Sequence, residues 1–127
     1  MIDALFNQPN YVAAKKMLDA TVLRHEAIAS NLANIETPGY KRIDVAPAFS
    51  TELQSAIASG NSDQIAGAQP RLSVDSAATA GNRDGNTVEL ETELAEMNKN
   101  FLAHAMETQL VTGNLLKLRL AITGRSS

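Results

Sequence analysis

The chain has 127 residues, 44% of them hydrophobic but only 4% aromatic, with no cysteine, no tryptophan and a net charge of -3. That length makes one domain, or an extended helical element with an insertion. Without cysteine there are no disulfides or thiolate metal sites, and the mild acidity offers no basic face to nucleic acid.

Alanine and leucine supply most of the apolar surface, which suits thin helix–helix seams better than a deep core. No stretch approaches the ~20 apolar residues that a membrane-spanning helix needs. The first residues, Met1 to Pro9, lack the charged and apolar regions of a secretory signal. The expectation is a chain with no transmembrane segment and no cleavable signal peptide.

A first long helix is expected from Pro9 to about Ile35. Pro9 suits a first helical position, where its missing N–H would be unpaired anyway. Tyr11, Ala14, Leu18, Thr21, His25, Ile28, Leu32 and Ile35 recur at heptad spacing, with Thr21 and His25 interrupting the apolar stripe. The stop is marked by Thr37, Pro38, Gly39 and Tyr40. Pro38 pushes Thr37 out of the helical region, and Gly39 supplies the positive φ of a type II turn. Asn31 and Asn34 lie on one face just before that stop. Two readings are open for them: amides that cap their own helix end, or buried amides that fix register between helices.

Residues 1–42, the helix and its turn, form a first segment; residues 43–86 form a second. Within the second, Pro47 opens a short helix with Phe49, Leu53, Ala56 and Ile57 on one side, ended by Gly60. Arg71 to Asp75 is at best a short extended piece, and the rest reads as a loop-rich or partly disordered insertion.

Residues 87–127 form the third segment. A second long helix is expected to start near Asn86–Glu89, which have capping-box spacing, or a few residues later. Leu90, Leu94, Met97, Phe101, Val111, Leu115, Leu118 and Ile122 repeat at heptad spacing, with His104 and Thr108 in the gaps. Glutamates crowd its first turns and Lys117 and Arg119 lie near its end, matching the helix dipole. Unbroken, it spans roughly 50 Å at ~1.5 Å per residue, which predicts an elongated shape. Gly113, inside this helix, marks either a bend or the close approach of another helix.

Catalysis has no foothold in this pattern. His25 and His104 occupy matching gaps in two apolar stripes, where a packing role is the ordinary one. No phosphate-binding glycine loop is present, and two lone histidines give no metal site. No catalytic, cofactor-binding or metal-binding residue is expected, and no cofactor. The apolar surface instead exceeds what one hairpin buries. Leu102, Met106, Leu110, Leu116 and Leu120 lie off the main stripe, so neighbouring copies or partner chains are needed to cover them. One conflict is built in: an antiparallel hairpin brings Lys15 and Lys16 toward Lys117 and Arg119.

The run Ser30-Asn31-Leu32-Ala33-Asn34-Ile35-Glu36-Thr37-Pro38-Gly39-Tyr40 resembles the signature of bacterial flagellar axial proteins, the rod, hook and hook-associated subunits. Arg24 to Ile28 before it, and Asp84 to Glu91 at the start of the C-terminal part, are similar to the proximal rod proteins of the basal body. The chain departs from that group in reading His104-Ala105 where a Tyr-Gln pair is common. The resemblance implies an all-α fold: two long terminal helices packed as an antiparallel coiled-coil-like pair, with a loop-rich middle segment.

The resemblance further implies a non-enzymatic subunit that leaves the cytoplasm uncleaved through the flagellar type III export gate and assembles in the periplasmic rod of the basal body. Its partners would be copies of itself in a helical assembly, other proximal rod proteins, the rod adaptor at the membrane ring and the export gate. Assembly and packing would rest on Leu18, Ile28, Asn31, Leu32, Asn34, Thr37, Pro38, Gly39 and Tyr40. On the second helix they would rest on Leu94, Met97, Phe101, Val111, Gly113, Leu115, Leu118 and Ile122. Another rod subunit of the same superfamily, a general helical adaptor and an export chaperone are the alternatives.

Overall fold

The computed structural model describes residues 8–81 and 83–124. The reading of the N-terminal residues as no secretory signal falls largely outside them. Two long helices dominate. α1 runs Pro9–Ala33 with Pro9 at its first position, and α4 runs Leu90–Thr123 and is stopped by Gly124 at φ 65°. They pack antiparallel: Asn31 meets Glu93, and Thr21 meets both Asn100 and His104. Carried on, this register sets Gln8 and Tyr11 beside Asn114 and Lys117.

That register resolves the expected clash of basic residues. Lys15 and Lys16 stand about eight residues short of Lys117 along the pair, or roughly 12 Å at ~1.5 Å per residue. Physiological salt screens exposed charges over about 8 Å, so their repulsion is slight. Lys15 is further held over the Tyr11 ring, 5.6 Å from its centre.

Between the long helices the chain is more ordered than a loop-rich insertion. β1 (Ile43–Val45) pairs antiparallel with β2 (Leu72–Val74), Ile43 opposite Val74 and Val45 opposite Leu72. The fold is therefore mostly helical but not strictly all-α. α2 (Pro47–Ser59) starts on its proline and ends where Gly60 takes φ 67°. Phe49, Leu53 and Ala56 are buried as expected, whereas Ile57 points outward. α3 (Ser62–Gly67) was not foreseen; the Asn61 side chain caps it by accepting from the N–H groups of Asp63 and Gln64.

The main apolar cluster lies here, not between the long helices. Val45, Phe49, Leu53, Ala56, Ile65 and Ala68 close over Ala13 and Ala20 of α1. α1 is thus sandwiched, with alanines toward the middle segment and Thr21, Ile28 and Asn31 buried elsewhere on its surface. Small side chains let α2 and α3 approach the α1 backbone closely.

The expected capping box does not form. α4 begins at Leu90 with Glu89 as its N-cap, and no side chain caps it. Asn86 has a different partner, described below.

Candidate functional site

The signature residues build a polar clasp where α1 ends and α4 begins. Asn31 is fully buried. Its Nδ2 donates to the Ile43 carbonyl at 2.9 Å, and its Oδ1 accepts the Ile43 N–H at 3.0 Å. Two opposed residues of an antiparallel ladder exchange the same pair of bonds, so the amide stands in for a strand neighbour beside β1. Nδ2 also donates to Glu93 Oε2 at 3.2 Å, and Oδ1 accepts from the Tyr40 hydroxyl, which meets Ser30 Oγ.

Asn34 takes the local role. Its Nδ2 donates to the Ser30 carbonyl at 2.9 Å, and its Oδ1 accepts from the Thr37 hydroxyl at 3.1 Å. Each of the two open readings therefore holds for one asparagine. Past Pro38 the turn closes as expected. Tyr40 N–H donates to the Thr37 carbonyl, and Gly39 at φ 73° donates its N–H to the Asp84 carbonyl at 2.8 Å.

Asn86 completes the end of α1 from the far side of the sequence. Its Nδ2 lies within 2.8–3.1 Å of the carbonyls of Asn34, Ile35 and Thr37, and its Oδ1 accepts the Val88 N–H. It satisfies acceptors that α1 and its turn leave open. No basic residue in the last turn does so instead.

Arg42 locks the clasp electrostatically. Its side chain is 6% exposed, and its Nε donates to the fully buried Glu93. Its Nη1 donates to Asp75 at 3.0 Å and Asp44 at 3.2 Å, and Arg24 donates to the other Asp44 oxygen at 2.9 Å. Burial works against the Arg42 charge, yet Glu93 and Asp44 hold its pKa above the ordinary value. Burial likewise opposes ionisation of Asp44, but bonds from Arg24, the Val45 N–H and Arg42 outweigh it and keep that carboxyl below its usual range.

The seam below the clasp is not the apolar stripe expected. Glu93, Asn100 and Glu107 share one heptad position of α4 and are buried, while Met97, His104, Val111 and Leu118 share the other. Asn100 Nδ2 donates to the Thr21 carbonyl at 2.8 Å. Thr21 gives its hydroxyl proton to the Leu18 carbonyl, so His104, 3.0 Å away, donates to it from Nδ1. His25 is exposed.

Five of the eight apolar residues of the expected stripe are therefore exposed, Leu90 among them. Leu94, Phe101, Leu115 and Ile122 are exposed, Phe101 by 77%, as are Leu102, Met106, Leu110, Leu116 and Leu120. Among the described residues, a side chain added at Gly113 would meet nothing within 4 Å. Leu18 and Leu32 are half-buried and Ile28 is buried. The large exposed apolar side chains of α4 make a surface of the kind that marks an interaction site.

The signature residues of the clasp lie in a stretch that matches a known family. The family model described as "Flagella basal body rod protein" matches residues 18–41, which run from Leu18 through the signature turn. The flagellar basal body rod protein FlgB of Aquifex aeolicus is 33% identical over 114 residues, covering 88% of this chain and 91% of that one. This chain belongs to the flagellar basal body rod protein family. FlgB of Borrelia hermsii is 27% identical, with 86% of this chain and 92% of that one covered.

Rod proteins of this family are structural and not enzymes. Among the described residues no group of three or more His, Asp or Glu is placed to hold a metal, and no helix is long and apolar enough to cross a membrane. Within this rod protein, sequence reasoning missed Arg42, Asp44, Asn86 and Glu93 as parts of the clasp. A signal existed for Asn86 and Glu93. The 93–100–107 spacing repeats a heptad position, but polar side chains there read as a solvent face.

Proposed function

We propose that this chain is a proximal subunit of the rod, exported unfolded through the flagellar type III system and built into a helical tube through α1 and α4. The clasp fixes one geometry for the helix pair, and neighbours cover the outer face of α4. The observation that carries this reading is that face itself. From Leu102 to Ile122, apolar side chains stand exposed on nearly every side of the helix. A helix apolar all round is a buried helix, and its own chain covers only one side.

Copies of this chain, other proximal rod proteins and the rod adaptor at the membrane ring are the partners that fit a periplasmic rod, with the export gate met in transit. Thr37, Pro38, Gly39 and Tyr40 serve by holding the turn that brings residues 43–86 back onto α1. On this reading those residues belong to the same unit as the helices.

The test is substitution on the outer face. Phe101→Asp and Leu110→Asp, made singly, should leave the isolated protein folded and abolish motility and rod assembly. Full motility in both variants would refute the reading. A general helical adaptor would instead form a closed dimer at high concentration, without stacking.

A further inference from the structure

The polar ties between α1 and α4 gather at one end. Glu93, Asn100 and His104 each reach α1. The next residue turned inward is Glu107, 8% exposed, and its Oε2 is shut off from solvent with no donor. The charged groups along that length are Lys15, Lys16 and Asp19 on α1 and His104 one turn back on α4. None of them forms an ion pair with Glu107. Asn100 Oδ1 is also without a donor, but a neutral amide is cheaper to leave so than a carboxylate. Beyond Glu107, Val111 and Asn114 are half-buried and Leu118 is buried, with Asn114 and Leu118 beside Gln8 and Tyr11 of α1.

We propose that Glu107 makes the distal half of the helix pair a separately opening segment, closed when its carboxyl is protonated and loosened when it is ionised. Burial pushes that carboxyl above its ordinary value of 4.5. The folded state therefore holds the proton more tightly than the open one. Closure is fully favoured below the ordinary value and weakens as pH rises through the raised one. Opening of this kind is local, since the clasp and the core around Phe49 lie at the other end or on the other side of α1. The same distal half carries Leu110, Leu115 and Leu116 on its outside, so opening changes the surface a neighbour meets. The proposal rests on the helix pair alone and stands or falls apart from the rod assignment.

The test is hydrogen exchange on the full chain at about pH 4.5 and about pH 7.5, corrected for intrinsic rates, a range in which histidine also titrates. Amides of residues 108–120 should be severalfold better protected at the lower pH relative to those of residues 93–100. Glu107→Gln should abolish that difference, whereas His104→Gln should keep it. A difference that survives Glu107→Gln, one lost only in His104→Gln, or none in the parent chain would overturn the proposal.

Discussion

Asn31 treats Ile43 as a strand treats its neighbour, giving Nδ2 to the carbonyl and taking the N–H on Oδ1 at 2.9 and 3.0 Å. A helix side chain thereby terminates a two-stranded sheet and ties it to the end of α1. Asn31→Leu leaves both Ile43 groups, a Glu93 oxygen and the Tyr40 hydroxyl short of a partner. The expected loss is roughly 2–4 kcal/mol of stability, read from the denaturant midpoint. Asn34→Leu, which breaks only local bonds, should cost about 1 kcal/mol.

Arg42 and Glu93 should show strong coupling. Arg42→Met leaves the fully buried Glu93 carboxylate uncompensated and should cost roughly 3–5 kcal/mol, whereas Glu93→Leu leaves Arg42 paired with Asp44 and Asp75 and should cost less. The double variant should recover much of that, because the orphaned charge is gone. A double-mutant cycle by urea unfolding checks this; simple additivity would mean that the pair is not coupled.

Asn86→Ala removes the donor that serves three carbonyls at the end of α1. The expected cost is about 1–3 kcal/mol, with exchange protection lost first around residues 31–40. An α4 capping role would instead loosen residues 90–94. The measured pattern of exchange distinguishes the two.

Acid should weaken the clasp through Asp44. Its folded pKa lies below 3.8, so its contribution is fully present above that value and is lost as pH falls through the lowered one. Asp44→Asn should lower stability at neutral pH and flatten this part of the acid limb. Thermal unfolding followed below about pH 4 in both proteins measures the difference.

Much of the fold was legible because local signals sufficed. Pro9, Pro47, Gly60 and Gly124 mark where helices begin or end, and Pro38 with Gly39 marks the turn. What was hidden depends on distant partners. Asn86 has the spacing of a cap for its own helix, but its bonds go to α1, and only the packed fold reveals that. α4 is apolar on so many sides that periodicity could not say which stripe faces α1. The buried face turned out to carry Glu93, Asn100 and Glu107. The middle segment looked open because its cluster is built on alanines, with few large side chains of its own.

The outer face of α4 is open in the isolated subunit, and in the proposed rod assembly neighbours cover it. The chain contains no cysteine, so Leu110→Cys places a single thiol on that face, where the native side chain is 53% exposed. Its labelling by a water-soluble maleimide should be fast in the purified protein and at least ~10-fold slower in intact basal bodies, as for a side chain sealed in an interface core. Equal rates in the two states, in motile cells, would contradict the account.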